Sequence, residues 1–126
     1  MLKEVLVIFA CSGLFYSFAS GCMAPTDDQE KTLRLLWSKI DTDNKLDVEN
    51  TARYGARAYI ISELNIPYNG DAYFYLANKE SLEENGTDEG EIVDKLKEKL
   101  AALSSDESFG GVAQKCLLDL EQSQDE

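Results

Sequence analysis

Four times along this chain a helix-capping residue is followed by apolar side chains at helical spacing. That repetition restricts the fold more than any other feature. Thr26-Asp27-Asp28-Gln29 reads as a capping box, able to satisfy orphan N–H groups of a first turn. Behind it Leu33, Leu36, Trp37 and Ile40 stand at i, i+3, i+4 and i+7, which is one helical face. Asp47 caps a second run with Val48, Ala52, Gly55, Ala56, Tyr59 and Ile60 inward. Asp88 with Glu91 opens a third, lined by Val93, Leu96, Leu100 and Leu103. Ser104 with Glu107 is expected to cap the last, where Phe109, Val112, Ala113, Cys116 and Leu120 share a face. Gly110-Gly111 weakens its first turn by about 1 kcal/mol per glycine against alanine.

The middle is ambiguous. Asn65 to Gly70 is a loop, since Pro67 and Asn69-Gly70 are strong breakers. The following AYFYLAN has strand-like residues, and Asn-Gly is a strong hairpin signal. Pro67, however, would interrupt the partner strand, and KESLEE has strong helix formers. A helix is therefore expected over 72–84. The chain is expected to be all-α, a small bundle of about four to five helices in one domain over 22–121. Residues 122–126 are expected to be a disordered polar tail.

The chain begins with a polar stretch carrying Lys3, then a nearly unbroken apolar run from Val5 to Ala19, closed by Ser20 and Gly21. This is the pattern of a secretory signal peptide over 1–21. An apolar run of 15 residues is short of the roughly 20 that span a bilayer, so stable membrane insertion is not expected. Ala19-Ser20-Gly21-Cys22 also loosely resembles a lipoprotein cleavage box without its usual leading Leu. Beyond the signal peptide, Cys22 and Cys116 remain, an even number suited to an oxidising compartment. A bridge between them would close a loop of about 95 residues and contribute roughly 4 to 5 kcal/mol on the chain-entropy account.

Charge excludes whole classes of function. The chain has 24 acidic residues against 12 basic ones, a net charge of -12. That disfavours nucleic acid and anionic membrane surfaces, which both need clustered cations. There is no histidine, which removes the commonest general base and the commonest zinc ligand. No paired carboxylates, nucleophile motif or phosphate-binding glycine loop stands out, so action by binding rather than catalysis is expected. The charge is uneven. Residues 20–68 carry 8 acidic and 6 basic residues, whereas residues 69–126 carry 15 and 5. The acidic half is suited to attracting cations or a basic partner.

Two acidic stretches resemble worn EF-hand loops. In LRLLWSKIDTDNKLDVEN an apolar helix ends in Ile40 and Asp41-x-Asp43 follows, hard oxygen donors at the first and third ligand positions. Two residues are then missing, those of the fifth ligand and the turn glycine, and Asn50 stands where a bidentate Glu belongs. In NGTDEGEIVDKL, Asn85, Thr87 and Glu89 would be the first, third and fifth ligands and Gly90 the turn glycine. Leu96 takes the twelfth position. The resemblance implies a degenerate EF-hand-like pair over most of 30–103, with at most weak calcium binding, about 0.1 to 1 mM or worse.

Asn85-Gly86-Thr87 is also a glycosylation sequon, and a glycan on Asn85 would obstruct any cation there. Arg53 and Arg57 lie one turn apart and are expected to pair with Glu49. Tyr59, Tyr68, Tyr73 and Tyr75 cluster around the middle loop and are candidates to line a pocket for a small apolar ligand. The expectation is a secreted acidic helical module that binds an extracellular protein. The alternative is a carrier of a small hydrophobic ligand, using those tyrosines.

Overall fold

Thr26, Asp47 and Asp88 each end an extended stretch of backbone and begin a helix, as their capping chemistry demands. Thr26 closes both halves of its box: its hydroxyl accepts from Gln29 N at 3.1 Å, and the Gln29 side chain accepts from Thr26 N at 2.9 Å. Asp47 accepts from Asn50 N at 2.8 Å, and Asp88 from Gly90 N at 3.0 Å.

The structure, a computed structural model, describes residues 24–124. The expected signal peptide and Cys22 lie outside those residues. Five helices follow in order: α1 (Asp27–Lys39), α2 (Val48–Glu63), α3 (Gly70–Glu84), α4 (Glu89–Leu103) and α5 (Gly110–Gln124). The described residues contain no strand, and the ambiguous segment over 72–84 is helical. The protein is thus a small all-α bundle. Among the described residues no helix is long and apolar enough to cross a membrane. The polar tail expected from residue 122 is helical through Gln124.

α2 is the hub and packs against each of the other four helices. Its small residues permit this. Ala52, Gly55 and Ala56 are buried, and a Cβ added at Gly55 would stand 2.5 Å from Leu96 and 2.8 Å from the Tyr75 ring. The core joins Leu33 and Leu36 of α1, Ile60 of α2, Tyr75 of α3 and Leu96 and Leu100 of α4, with Cys116 and Leu120 of α5 below. Each fully buried branched aliphatic side chain contributes about 1.5 to 3 kcal/mol.

The last helix begins differently from expectation. α4 runs through Leu103, so Ser104 ends that helix instead of starting the next one. The turn into α5 is organised by Asp106, whose carboxylate accepts from Ser108 N and Phe109 N, each at 2.9 Å. Gly110 sits so close to the preceding chain that a Cβ would stand 2.5 Å from the Ser104 carbonyl oxygen. Its glycine therefore serves a close backbone approach, whatever helix propensity it forfeits.

Candidate functional site

The loop between α1 and α2 is held from inside by side chains of α2. Asn50, buried in the first turn, uses its whole amide. Its Oδ1 accepts from Asp43 N at 2.9 Å, and its Nδ2 donates to Asp43 O at 3.0 Å and to Lys45 O at 2.9 Å. Asp43 turns its own carboxylate back to accept from Lys45 N at 2.8 Å. Asp41 is exposed on the rim of a cleft beside Lys39. The donors expected in this loop are therefore divided: Asp43 closes a turn, Asp47 caps α2, and Asp41 faces away into the cleft.

A second α2 side chain fixes the other end of the loop. Arg57 was expected beside Glu49, but it points inward and only Arg53 makes that pair, at 3.0 Å. The Arg57 guanidinium grips Asp71 with two hydrogen bonds, Nε to Oδ2 at 3.1 Å and Nη2 to Oδ1 at 2.9 Å. Its remaining Nη1 donates to Ile40 O at 3.2 Å and Thr42 Oγ1 at 3.0 Å. Trp37 Nε1 donates to the same Asp71 carboxylate at 2.9 Å. The Trp37 and Tyr54 rings lie 5.4 and 5.5 Å from the guanidinium carbon. Arg57 is 8% exposed and Asp71 2% exposed, so this is an ion pair in low dielectric with its hydrogen bonds satisfied. It ties α1, α2, α3 and the first loop at one point. Sequence reasoning missed Asp71, because a carboxylate after Asn69-Gly70 looks like ordinary turn chemistry.

Beside this anchor the surface is aromatic. Phe74 stacks on Tyr54 at 5.3 Å, and Tyr73 meets Phe74 edge-on at 5.5 Å. Tyr73 is 64% exposed, Phe74 47% and Leu46 49%. Asp43, Lys45, Leu46, Tyr54, Phe74 and Asn78 line a notch of about 150 Å³ between the first loop and α3.

The four tyrosines considered as one pocket do not converge. Tyr75 is buried in the core, and Tyr59 is packed against it at 6.5 Å. Tyr73 is on the surface. Tyr68 packs edge-on against Trp37 at 5.5 Å and lines a separate cleft of about 240 Å³ with Pro25, Leu33 and Trp37. Burial, with the Asp71 carboxylate nearby, pushes the Tyr68 phenol above its ordinary pKa.

The loop between α3 and α4 is built from backbone. Gly86 adopts φ 103°, while Gly86 N donates to Glu83 O at 3.0 Å and Thr87 N to Leu82 O at 2.9 Å. This is a glycine-terminated helix end. Asn85 is exposed at its tip, Thr87 is half-buried, and Glu89 pairs with Lys79 at 3.1 Å. Among the described residues no group of three or more Asp, Glu or Cys side chains is gathered to hold a metal ion. Cys116 is a buried free thiol whose Sγ donates to Tyr59 O at 3.5 Å. Burial pushes its pKa up to about 12, which keeps the thiol protonated at neutral pH.

No protein-family model matches the chain, and no curated protein or solved structure shows significant similarity to it.

Proposed function

We propose that the protein is a small secreted binding module that docks a basic protein partner on the aromatic notch beside the first loop. The observation that carries this reading is the exposed Phe74 and Leu46 lining the notch, with the exposed Tyr73 ring edge-on against Phe74 beside it. Exposed aromatics on a rigid frame are the residues that dominate binding energy at interfaces. The frame here is the Arg57–Asp71 pair and the Asn50 amide. The partner is basic because the chain carries -12 and would attract cations at long range.

The test compares the mature protein with a Tyr73→Ser, Phe74→Ser double variant as bait in the fluid into which it is secreted. The expected result is capture of a basic protein by the native bait only, weakened by salt. Equal capture by both baits would overturn the notch as the docking site.

The remaining parts of the reading have their own support. The apolar start supports export, and Cys22 with Cys116 supports a bridge that would replace the thiol contact to Tyr59. Non-reducing mass spectrometry of the secreted protein should show a Cys22–Cys116 peptide, and two alkylatable thiols would sink it. Asn85 is exposed at the end of α3, a position a glycan can occupy. An EF-hand-like origin is supported by the two helix-loop-helix pairs, α1–α2 and α3–α4. Calcium binding no tighter than about 0.1 to 1 mM is supported by the Asn50 amide, which already satisfies two loop carbonyls. The carrier reading is favoured by one observation, the cleft whose apolar lining is Pro25, Leu33, Trp37 and Tyr68, with Glu30 and Arg34 completing it. Quenching of the single tryptophan by a small apolar ligand would test it.

A further inference from the structure

Basic residues are scarce in this chain, yet three of the 12 line one cleft. Lys39 from the end of α1, Arg53 from α2 and Lys99 from α4 surround a volume of about 420 Å³. Asp41 is the one acidic residue of its lining, and Ile40, Ala102 and Leu103 give it an apolar side. Each of these cations has a carboxylate partner, but the partners Glu49 and Asp106 are not part of the lining, which carries three cations to one carboxylate. Glu49, in the first turn of α2, is shared by Arg53 at 3.0 Å, by Lys95 at 4.0 Å and by Lys99 in a close contact. The hydrogen bond from Lys99 and the charges around it hold the Glu49 carboxyl below its ordinary pKa. Lys39 pairs with Asp106 at 2.9 Å. Lys95 has a nearer partner in Glu98 at 3.1 Å, so Glu49 is shared chiefly by the two cleft cations Arg53 and Lys99, in a chain of net charge -12. A focused positive potential of this kind attracts a negatively charged head group.

We propose that this cleft binds a small organic oxyanion, a phosphate or carboxylate with a short apolar tail. The head group is held by Arg53, Lys99 and Lys39, with Arg53 offering the planar fork suited to two oxygens. The tail lies against Ile40, Ala102 and Leu103. Glu49 is the internal competitor for the same cations, which sets the sign of the decisive variant.

The test is a titration of the full chain, followed by amide chemical shifts, with inorganic phosphate, acetate, butyl phosphate and butyrate at matched ionic strength. The expected result is saturable shifts around residues 39–41 and 99–103, tighter for the butyl compounds than for the bare ions. Comparing phosphate with carboxylate identifies the preferred head group. Arg53→Gln should weaken binding about two- to fivefold, the effect of one exposed charge contact. Lys39→Gln, exposed on the last turn of α1, gives the same reading should Arg53→Gln fail to fold. Glu49→Gln should tighten binding, because it removes the competitor. The proposal is overturned by the absence of saturable shifts up to about 50 mM, weaker than any useful ligand affinity. Shifts scattered over every lysine, or a Glu49→Gln variant that binds no tighter, would overturn it equally.

Discussion

The two stretches that resemble worn calcium loops have opposite constructions. The first is held by side chains from the helix that follows it. Asn50 and Arg57 reach back from α2 and between them engage Ile40, Thr42, Asp43 and Lys45. The second is held by its own backbone, through a glycine at positive φ and hydrogen bonds to the last turn of α3. The difference teaches where each loop is vulnerable. The first depends on buried polar groups, which are costly to orphan. The second depends on one residue's conformational freedom.

The largest effect should come from Asp71→Ala. It leaves the Arg57 charge buried without its partner, an expected loss of about 3 to 5 kcal/mol. Urea unfolding would measure it, and a loss under about 1 kcal/mol would mean the pair is not the anchor described. Asn50→Ala comes next, at about 2 kcal/mol, from three lost hydrogen bonds in a half-covered loop. Hydrogen exchange should show the first loop opening while the amides around Gly86 keep their protection. If both loops loosen together, they are not independent. Gly86→Ala should cost about 1 kcal/mol through backbone strain alone, since nothing stands within 4 Å of an added Cβ. A larger loss would reveal a packing role. Calcium should have the smallest effect. At a concentration equal to a millimolar dissociation constant it would add about 0.4 kcal/mol. Asp43→Asn and Glu89→Gln should change that little, and a micromolar site lost in either variant would overturn the reading of both loops.

Much of the fold was legible, for a physical reason. Caps and apolar periodicity are local, and Thr26, Asp47 and Asp88 all mark true helix starts. α3 was readable only by elimination. Its rings at 73, 74 and 75 are two exposed and one buried, so no clean stripe marks its inner face. Ser104 misled because the same side-chain chemistry that starts a helix also ends one, and the cap of the next turn came from Asp106. The candidate site was the least legible part. Asn50 attracted notice only as a missing carboxylate, whereas its role lies in donating and accepting at once. Arg57 and Asp71 are 14 positions apart on different helices, and charged residues usually face water. Only the packing of α2 against α3 brings such a pair indoors. Tyr59, Tyr68, Tyr73 and Tyr75 illustrate the converse, since closeness in sequence did not bring them to one place.

α1 is the exception in a bundle organised around α2, because α2 is its one close helical neighbour. Its ties beyond α2 include two polar contacts, Trp37 to Asp71 and Lys39 to Asp106, and the edge of Tyr68 against Trp37. The other helices are each held by at least two neighbours. The molecule should therefore open in stages, not all at once. α1 would peel away as a unit while the remaining helices stay docked, uncovering the Leu33, Leu36 and Ile40 seam. Its amides would exchange at a free energy below that of whole-molecule unfolding, and a protease would find its first foothold there.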